Sequence, residues 1–332
     1  TAANQNRYSG FGTQLTSPRA NATTRPSPGF DAQTLPGPSI KVYNRATGGY
    51  TALNRTDTAI SNPKGYMVFV RGDRSATALA SPVTATTMRT KGTLHTPANP
   101  PVTLNLPTTG FESVGNPYAS AIDFRLLTFS GGVQQTVFYV WDPQLTSGGF
   151  TVWGLGGFRT VTLGAPGVYS ITPNTGVFAT KFRGFIESGQ AFFVNAPLTA
   201  GSVGFSEACK VDSSSNVNRV SNTVTRQLLT NLNVVTANET ILLDGNRIQY
   251  DKGWSNKVDI NDAIKLNNSG ENLGIFNAGK TLVVERRKLL DRNDTIFYRI
   301  GQCKVQQYEF EFIPENLQET GLEGILEDKY LR

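Results

Sequence analysis

The chain has 332 residues and a formal net charge of +6, and its length is sufficient for two domains that each bury a core. Only 17% of the residues are charged, below the roughly 25% usual in soluble globular proteins, whereas glycine (33) and proline (17) are abundant. This composition favours short strands joined by turns. It argues against a membrane-spanning helix, which needs roughly 20 apolar residues in a row, and against a nucleic-acid surface, because the basic residues are scattered.

Residues 1–38 are rich in Ser, Thr, Pro, Asn and Gly. Prolines remove main-chain donors and restrict the residues before them, so this segment cannot form a helix. We expect an extended arm, or the incomplete start of a module, that must lie along a surface to be ordered. Since the chain begins with Thr1 and shows no signal peptide, we also expect it to be a piece of a longer, processed precursor.

Residues 39–210 alternate short apolar runs with turn residues, which predicts a first β-sandwich domain. Its most distinctive stretch, residues 110–124, reads as strand, tight turn, strand. Gly115 and Asn116 tolerate positive φ, and Pro117 fixes its own φ. We therefore predict that Asn116 and Pro117 shape a turn, that Tyr118 and Trp141 contribute to the core of this domain, and that Asp142 belongs to the same structural motif.

Three blocks of this domain resemble a recurring module: G-N-P-Y-x-S-x-I-D at residues 115–123, V-W-D-P at 140–143 and S-G-Q-A-F-F-V at 188–194. The module is found in large secreted surface proteins of the Bacteroidota, which are commonly cargo of the type IX secretion system. The resemblance implies an extracellular or outer-surface location. It also implies O-glycosylation of Ser or Thr placed between Asp and a small or apolar residue, a pattern present at Thr58 and Thr295.

The clearest break in composition lies at residues 211–222, which we interpret as a linker to a second β-sandwich domain at residues 223–332. Within that domain, residues 307–312 alternate strictly and predict a half-buried antiparallel strand. Tyr308, Phe310 and Phe312 would share one face of it, with Glu309 and Glu311 on the other. The predicted fold class is all-β, with tandem β-sandwich domains of jelly-roll or immunoglobulin-like type and little helix.

Few residues are candidates for catalysis, metal binding or disulfide formation. His95 is the only histidine. Because the sequence shows no second metal ligand and no acid partner for it, we interpret His95 as an ordinary side chain and not as a metal ligand or general base. Cys209 and Cys303 fit either one disulfide or two idle thiols, because sequence separation says nothing about distance in space. Asp259, Asn261 and Asp262 offer oxygen ligands at short spacing but lack the Gly and terminal Glu of a calcium loop, so capping of a turn is the favoured interpretation.

We accordingly predict a protein with no catalytic residues and no cofactor. The first functional hypothesis is an extracellular structural or adhesive surface protein, a component of a self-associating fibre or stalk whose partners are further copies or other surface proteins. An arm that pairs with an exposed sheet edge of another copy would favour such association. The alternative is a glycan-binding module of a larger secreted enzyme or adhesin, in which exposed tryptophans stack on sugar rings.

Overall fold

The computed structural model describes a chain built almost entirely from short strands. The described residues are 11–13, 40–53, 60, 63–69, 88–90, 94–96, 101–143, 145, 156–164, 168–175, 182, 184–212, 226–237, 239–317 and 323–328. The fold is all-β, with 53% of residues in strands, no helix of seven residues or more, and several sheets of β-sandwich type, as predicted. Short β-branched and aromatic runs between Gly, Pro and Asn turns account for this, since such side chains pack well on a pleated surface.

The chain divides into two compact units. Unit 1 comprises residues 1–140 and 181–218, and unit 2 comprises residues 141–180 and 219–332. This differs from the predicted division into residues 39–210 and 223–332, because residues 141–180 belong with the C-terminal part of the chain. The predicted linker at 211–222 also starts inside a strand, as Val211 pairs with Ala121, and residues 213–222 lie outside the described residues.

In its described residues, unit 1 contains fourteen strands in whole or in large part. They are β1 (Phe11–Thr13), β2 (Ile40–Asn44), β3 (Gly49–Ala52), β4 (Tyr66–Val68), β5 (Met88–Thr90), β6 (Val102–Leu106), β7 (Gly110–Gly115), β8 (Ala121–Asp123), β9 (Thr128–Gly131), β10 (Val137–Asp142), whose last two residues belong to unit 2, β13 (Phe185–Ile186), β14 (Ala191–Ala196), β15 (Gly201–Phe205) and β16 (Lys210–Val211).

The pairing in unit 1 is antiparallel throughout the described registers. Strand β14 pairs with β7 over six residues and with β10 on its other side, and three-stranded sheets follow the orders β6-β15-β9, β13-β8-β16 and β3-β2-β4. Residues Val137 to Val140 of β10 are buried on both faces, which identifies β10 as a central strand. The core includes Phe124 and Phe138, which stack with their ring centroids 4.2 Å apart.

Unit 2 contains the remaining strands. They are β11 (Gly157–Leu163), β12 (Tyr169–Thr172), β17 (Arg226–Val235), β18 (Thr240–Tyr250), β19 (Ala263–Ile264), β20 (Asn272–Asn277), β21 (Lys280–Arg287), β22 (Tyr298–Gly301) and β23 (Tyr308–Glu315). A seven-stranded sheet follows the order β22-β20-β21-β18-β17-β23, with β19 paired to β21. The β18–β21 pair is parallel, which departs from the antiparallel pattern of its neighbours.

The alternating strand β23 pairs antiparallel with β17, as predicted. Phe310 is opposite Leu232 and Phe312 is opposite Thr230, so the aromatic side chains share one face. Strands β18, β20 and β21 of this sheet contribute a buried core cluster formed by Ile248, Tyr250, Ile275 and Leu282. Strands β22 and β23 are the first and last strands of the sheet order, and this position leaves an outer edge on each of them.

Candidate functional site

The side chain of Asn116 locks the turn that the G-N-P-Y motif predicts. Its Nδ2 donates to the carbonyl oxygens of Ser120 (2.8 Å), Ile186 (3.1 Å) and Glu187 (3.1 Å). Its Oδ1 accepts from the main-chain N–H of Tyr118 at 2.9 Å. One amide thus closes its own turn and holds the chain that follows β13, a structural task that leaves no group of Asn116 free for a ligand.

Gly115 and Tyr118 complete this motif by close packing. A Cβ at Gly115 would lie 2.7 Å from the carbonyl oxygen of Lys64, so this position needs glycine because main chain approaches it. Neither Gly115 nor Asn116 has positive φ, which corrects the reason that the sequence suggested for them. Tyr118 is 3% exposed, and burial raises the pKa of its hydroxyl to about 12. The motif is therefore part of the framework of unit 1.

Trp141 lies in unit 2, not in the core of the first domain as predicted, and Asp142 of the same motif also lies in unit 2. The half-buried ring of Trp141 packs edge-on against Phe158, with centroids 4.9 Å apart. Asp142 is buried, and its Oδ2 lies 2.9 Å from Nη2 of Arg159. Arg159 also donates from Nη1 to the carbonyl oxygen of Pro173 at 2.6 Å. Asp142 and Arg159 thus clamp β10 and the end of β12 to β11 within unit 2.

Unit 2 contains further buried ion pairs that the sequence analysis did not identify. Lys265 Nζ lies 2.7 Å from Oδ2 of Asp244, which also accepts from the main-chain N–H of Leu273. Arg287 lies between Glu285, at 3.2 Å, and Asp294. The sequence did contain a signal for these pairs, namely single charged residues within strands that are otherwise apolar or β-branched. An unpaired charge would be costly there, so each such residue indicates a buried partner of opposite charge.

Arg247 is the largest fully buried side chain of the described residues. Its Nη2 donates to the carbonyl oxygen of Ile171 at 2.8 Å, whereas Nε and Nη1 have no hydrogen-bond partner in the described part of the chain. Burial lowers the pKa of this guanidinium to about 10, and the charge of Glu315 opposes that effect. Arg247 therefore fixes the main chain of β12 to β18 inside unit 2.

The weak cation candidates Asp259, Asn261 and Asp262 form a turn whose oxygens are already engaged. Asp259 Oδ1 accepts from the main-chain and side-chain nitrogens of Asn261, at 2.7 and 2.9 Å. Asp262 accepts from the N–H of Asp259 through Oδ2 and from the N–H of Arg286 through Oδ1, both at 2.8 Å. Burial raises the pKa of Asp262 to about 6 against these two hydrogen bonds. The geometry is that of capping.

The remaining candidates lie apart from these clusters. Both cysteines are free thiols: Cys209 is buried and donates to the carbonyl oxygen of Ser206 at 2.9 Å, and Cys303 is exposed, so the disulfide alternative is not formed. The ring of His95 lies 5.4 Å from that of Tyr118. Thr295 is exposed, as a glycan acceptor requires, and Thr58 lies outside the described residues.

Two larger kinds of site are absent from the described ranges. Within those ranges, no group of three or more His, Cys, Asp or Glu side chains is arranged to hold a metal ion. No helix in the same ranges is both long and apolar enough to span a bilayer.

Unit 2 has an exposed apolar surface at the two ends of the seven-stranded sheet. Ile300 of β22 is 45% exposed, Phe312 of β23 is 38% exposed, and Val305 lies fully exposed in the connection between these strands. The neighbouring positions Arg299 and Glu309 are exposed and of opposite charge. This side of the sheet, defined by β22, residues 302–307 and β23, is hereafter the β22/β23 surface. It is the strongest candidate for an interface in the described residues.

Comparison with known proteins gives a family without an assigned activity. No curated protein and no solved structure matches the chain. One family model matches residues 15–331 and carries the description "Domain of unknown function (DUF8693)". Because that match covers nearly the whole sequence, the chain belongs to the DUF8693 family.

Proposed function

We propose that this chain is a non-catalytic structural or adhesive module that acts outside the cell or on its outer surface, and that it associates with further copies of itself. The resemblance of its motifs to secreted surface proteins of the Bacteroidota supports the location, and type IX secretion is the matching export route. The all-β fold supports a mechanical role, because sheets with free edges can be extended by a partner strand.

One observation carries the non-catalytic part of the proposal: every buried carboxylate in the described ranges has a structural partner. Asp123, Asp142 and Asp244 pair with Arg125, Arg159 and Lys265. The other buried carboxylates are partnered by main-chain N–H groups or by Gln, Tyr, Arg or Lys side chains; they are Glu112, Asp262, Glu271 and Glu285. Catalytic acids and bases need a proton that is accessible to substrate, and these pairings instead tie strands together.

The direct test is the place and the activity of the protein in its source organism. Immunogold labelling of intact cells with antibodies to the chain should decorate the outer surface, and protease treatment of those cells should remove the signal. Label confined to the cell interior would contradict the location. Turnover of a polysaccharide or peptide substrate by the purified chain, abolished by substitution of one carboxylate, would contradict the non-catalytic assignment.

A second function, glycan binding, is favoured by the position of Trp254. This half-buried tryptophan lies in the otherwise exposed segment from Asp251 to Ser255, and the guanidinium of Arg286 lies 5.5 Å from its ring centroid. An aromatic ring beside a cation at an exposed turn can stack on a sugar. A glycan array decides this candidate: binding that Trp254→Ala removes and Trp141→Ala retains would support it, and an array without retained ligand would end it.

The exposure of Thr295 supports the glycosylation proposal at that site. Asp294, which precedes it, is held by Arg287, so the motif is presented on an anchored segment. A glycan there would project into solvent and hydrate a surface with few charges. Peptide mass spectrometry of protein from the native source should find a mass increment on Thr295, and a fully unmodified peptide would contradict the assignment.

A further inference from the structure

We propose that the β22/β23 surface binds the same surface of a second copy, with β22 of each copy pairing with β23 of the other. The inference rests on the self-association in the proposed function and assigns the residues that carry it. Three independent features of the surface support it: free strand edges, incompletely covered apolar side chains, and a charge pattern that is complementary to itself.

The first feature is main-chain hydrogen-bonding capacity. In the described part of the chain, β22 has β20 as its strand partner and β23 has β17, so each strand offers its outer row of N–H and C=O groups. Although β22 and β23 stand at opposite ends of the sheet order, the hydroxyl of Tyr298 on β22 lies 2.9 Å from Oγ1 of Thr230 on β17, the neighbour of β23, so the two ends of the sheet lie close together. Unpaired edges accept an added strand because the ladder bonds are already oriented for it.

The second feature is apolar area that the fold leaves uncovered. The rings of Tyr298 and Phe312 lie 6.1 Å apart, so β22 and β23 face each other through the interior of unit 2. Phe310 stacks beside Phe312 at 6.2 Å. At this open side Ile300 and Phe312 remain 45% and 38% exposed. A second copy would cover these two side chains, and burial of apolar side chains is the main favourable contribution to such an interface.

The third feature is charge. It indicates both which partner binds this surface and which strands pair with each other. Arg299 is exposed on β22 and Glu309 is exposed on β23, whereas Lys304 and Glu311 already contact Glu271 (3.6 Å) and Asn231 (2.8 Å). Pairing of β23 with its own counterpart would place carboxylates together, which is unfavourable. Pairing of β22 with β23 of the partner brings opposite charges together on both sides of a two-fold axis, as an isologous dimer requires. Because one surface carries both halves of this pattern, the partner that fits it is a second copy.

Arg299 is available for such a contact without breaking an ion pair. In the described residues its guanidinium lies 3.9 Å from the ring centroid of Phe276 on the neighbouring strand β20. A cation–π contact at an exposed site is weak, so it does not prevent the guanidinium from forming an ion pair. Glu309 is exposed on β23 and serves as its counterpart in the other copy.

The test is sedimentation equilibrium of the 332-residue chain under reducing conditions, which prevent bridging through the exposed Cys303. The chain should form dimers in a concentration-dependent manner. Arg299→Glu and Glu309→Arg should each raise the dimer Kd by about tenfold or more, since each places like charges together. The double variant Arg299→Glu/Glu309→Arg restores the complementarity and should recover most of the wild-type affinity.

The matched control is Arg292→Glu, which reverses an exposed positive charge in unit 2 away from both strands and should leave the Kd unchanged. Circular dichroism of each variant confirms that it folds. A monomer at every concentration overturns both this interface and the self-association proposed above, whereas a dimer that is insensitive to Arg299→Glu overturns this interface alone. Neither result depends on immunogold labelling or substrate turnover, so failure of this inference is distinguishable from failure of the proposed location and non-catalytic character.

Discussion

At the scale of single residues, burial determines which charges this protein keeps. A charge moved from water into a strand interior is costly unless it is paired and hydrogen-bonded. Asp142 and Arg159 meet that requirement within 2.9 Å, and burial still lowers the pKa of Arg159 against the opposing effect of Asp142. Such pairs specify which strands lie side by side. If one partner is removed, the other remains as a buried charge without its counterion, which is unfavourable.

Replacement of one partner should therefore destabilise unit 2 strongly. We expect Asp142→Asn to lower the free energy of unfolding by about 3–5 kcal/mol, because it leaves the Arg159 charge buried and unpaired. The double variant Asp142→Leu/Arg159→Met should recover part of that loss. Urea unfolding monitored by tryptophan fluorescence measures both. A control in the exposed pair of Lys288 and Asp291, Lys288→Ala, should leave stability nearly unchanged, and an equal effect of the two single changes would contradict the argument.

Asp262 should make stability depend on pH. Burial raises the pKa of its carboxyl from 3.8 to about 6, so between these values the folded state binds more protons than the unfolded state. Its contribution is therefore fully present below about pH 4 and is lost as the pH rises through about 6. The uncharged Asp262→Asn should lack this loss, about 3 kcal/mol, in urea unfolding across that range. Curves for the two proteins that remain parallel would contradict this role.

At the scale of secondary-structure elements, close approach of main chain determines the turns. Gly115 ends β7, where it lies against the carbonyl oxygen of Lys64, and Asn116 then uses its side chain to satisfy three carbonyl groups. The sequence identified both residues as turn formers, yet the constraint comes from Lys64 and from the chain after β13. Residues far apart in the sequence thus explain why this turn tolerates few alternatives.

A methyl group at position 115 should destabilise this turn. We expect Gly115→Ala to cost about 1–3 kcal/mol of stability, because its Cβ would lie 2.7 Å from Lys64 O and main chain cannot yield as a flexible side chain does. Gly324→Ala is the matched control, since a Cβ there meets nothing within 4 Å and the residue lies outside every strand. Thermal unfolding of the two variants compares them directly. Equal melting temperatures would show that the turn relaxes without cost.

At the scale of the whole molecule, the protein consists of strands in two compact units. Residues 141–180 are assigned to unit 2 although unit 1 resumes at residue 181, so the chain enters unit 2 twice. Composition could not reveal this arrangement, because the strands on either side of residue 141 have the same β-branched and aromatic character. The predicted break near residue 211 marked a change in composition, and compact units are defined by contacts instead.

The all-β content should be visible in solution. We expect the far-UV circular dichroism spectrum of the chain to show the single minimum of β-structure, since the described helical segments are short 3-10 turns. A spectrum with the double minimum of α-helix would contradict the fold.

The sequence alone determined the fold class and the character of individual strands, because period-two alternation and turn residues are local properties. The faces of β23 and the turn at Asn116 follow from such patterns. Only the tertiary structure decided that Asp142 pairs with Arg159, that Cys209 and Cys303 remain thiols, and that β22 and β23 end the same sheet. These depend on which distant segments meet, and long-range strand pairing is set by the packing of the whole core.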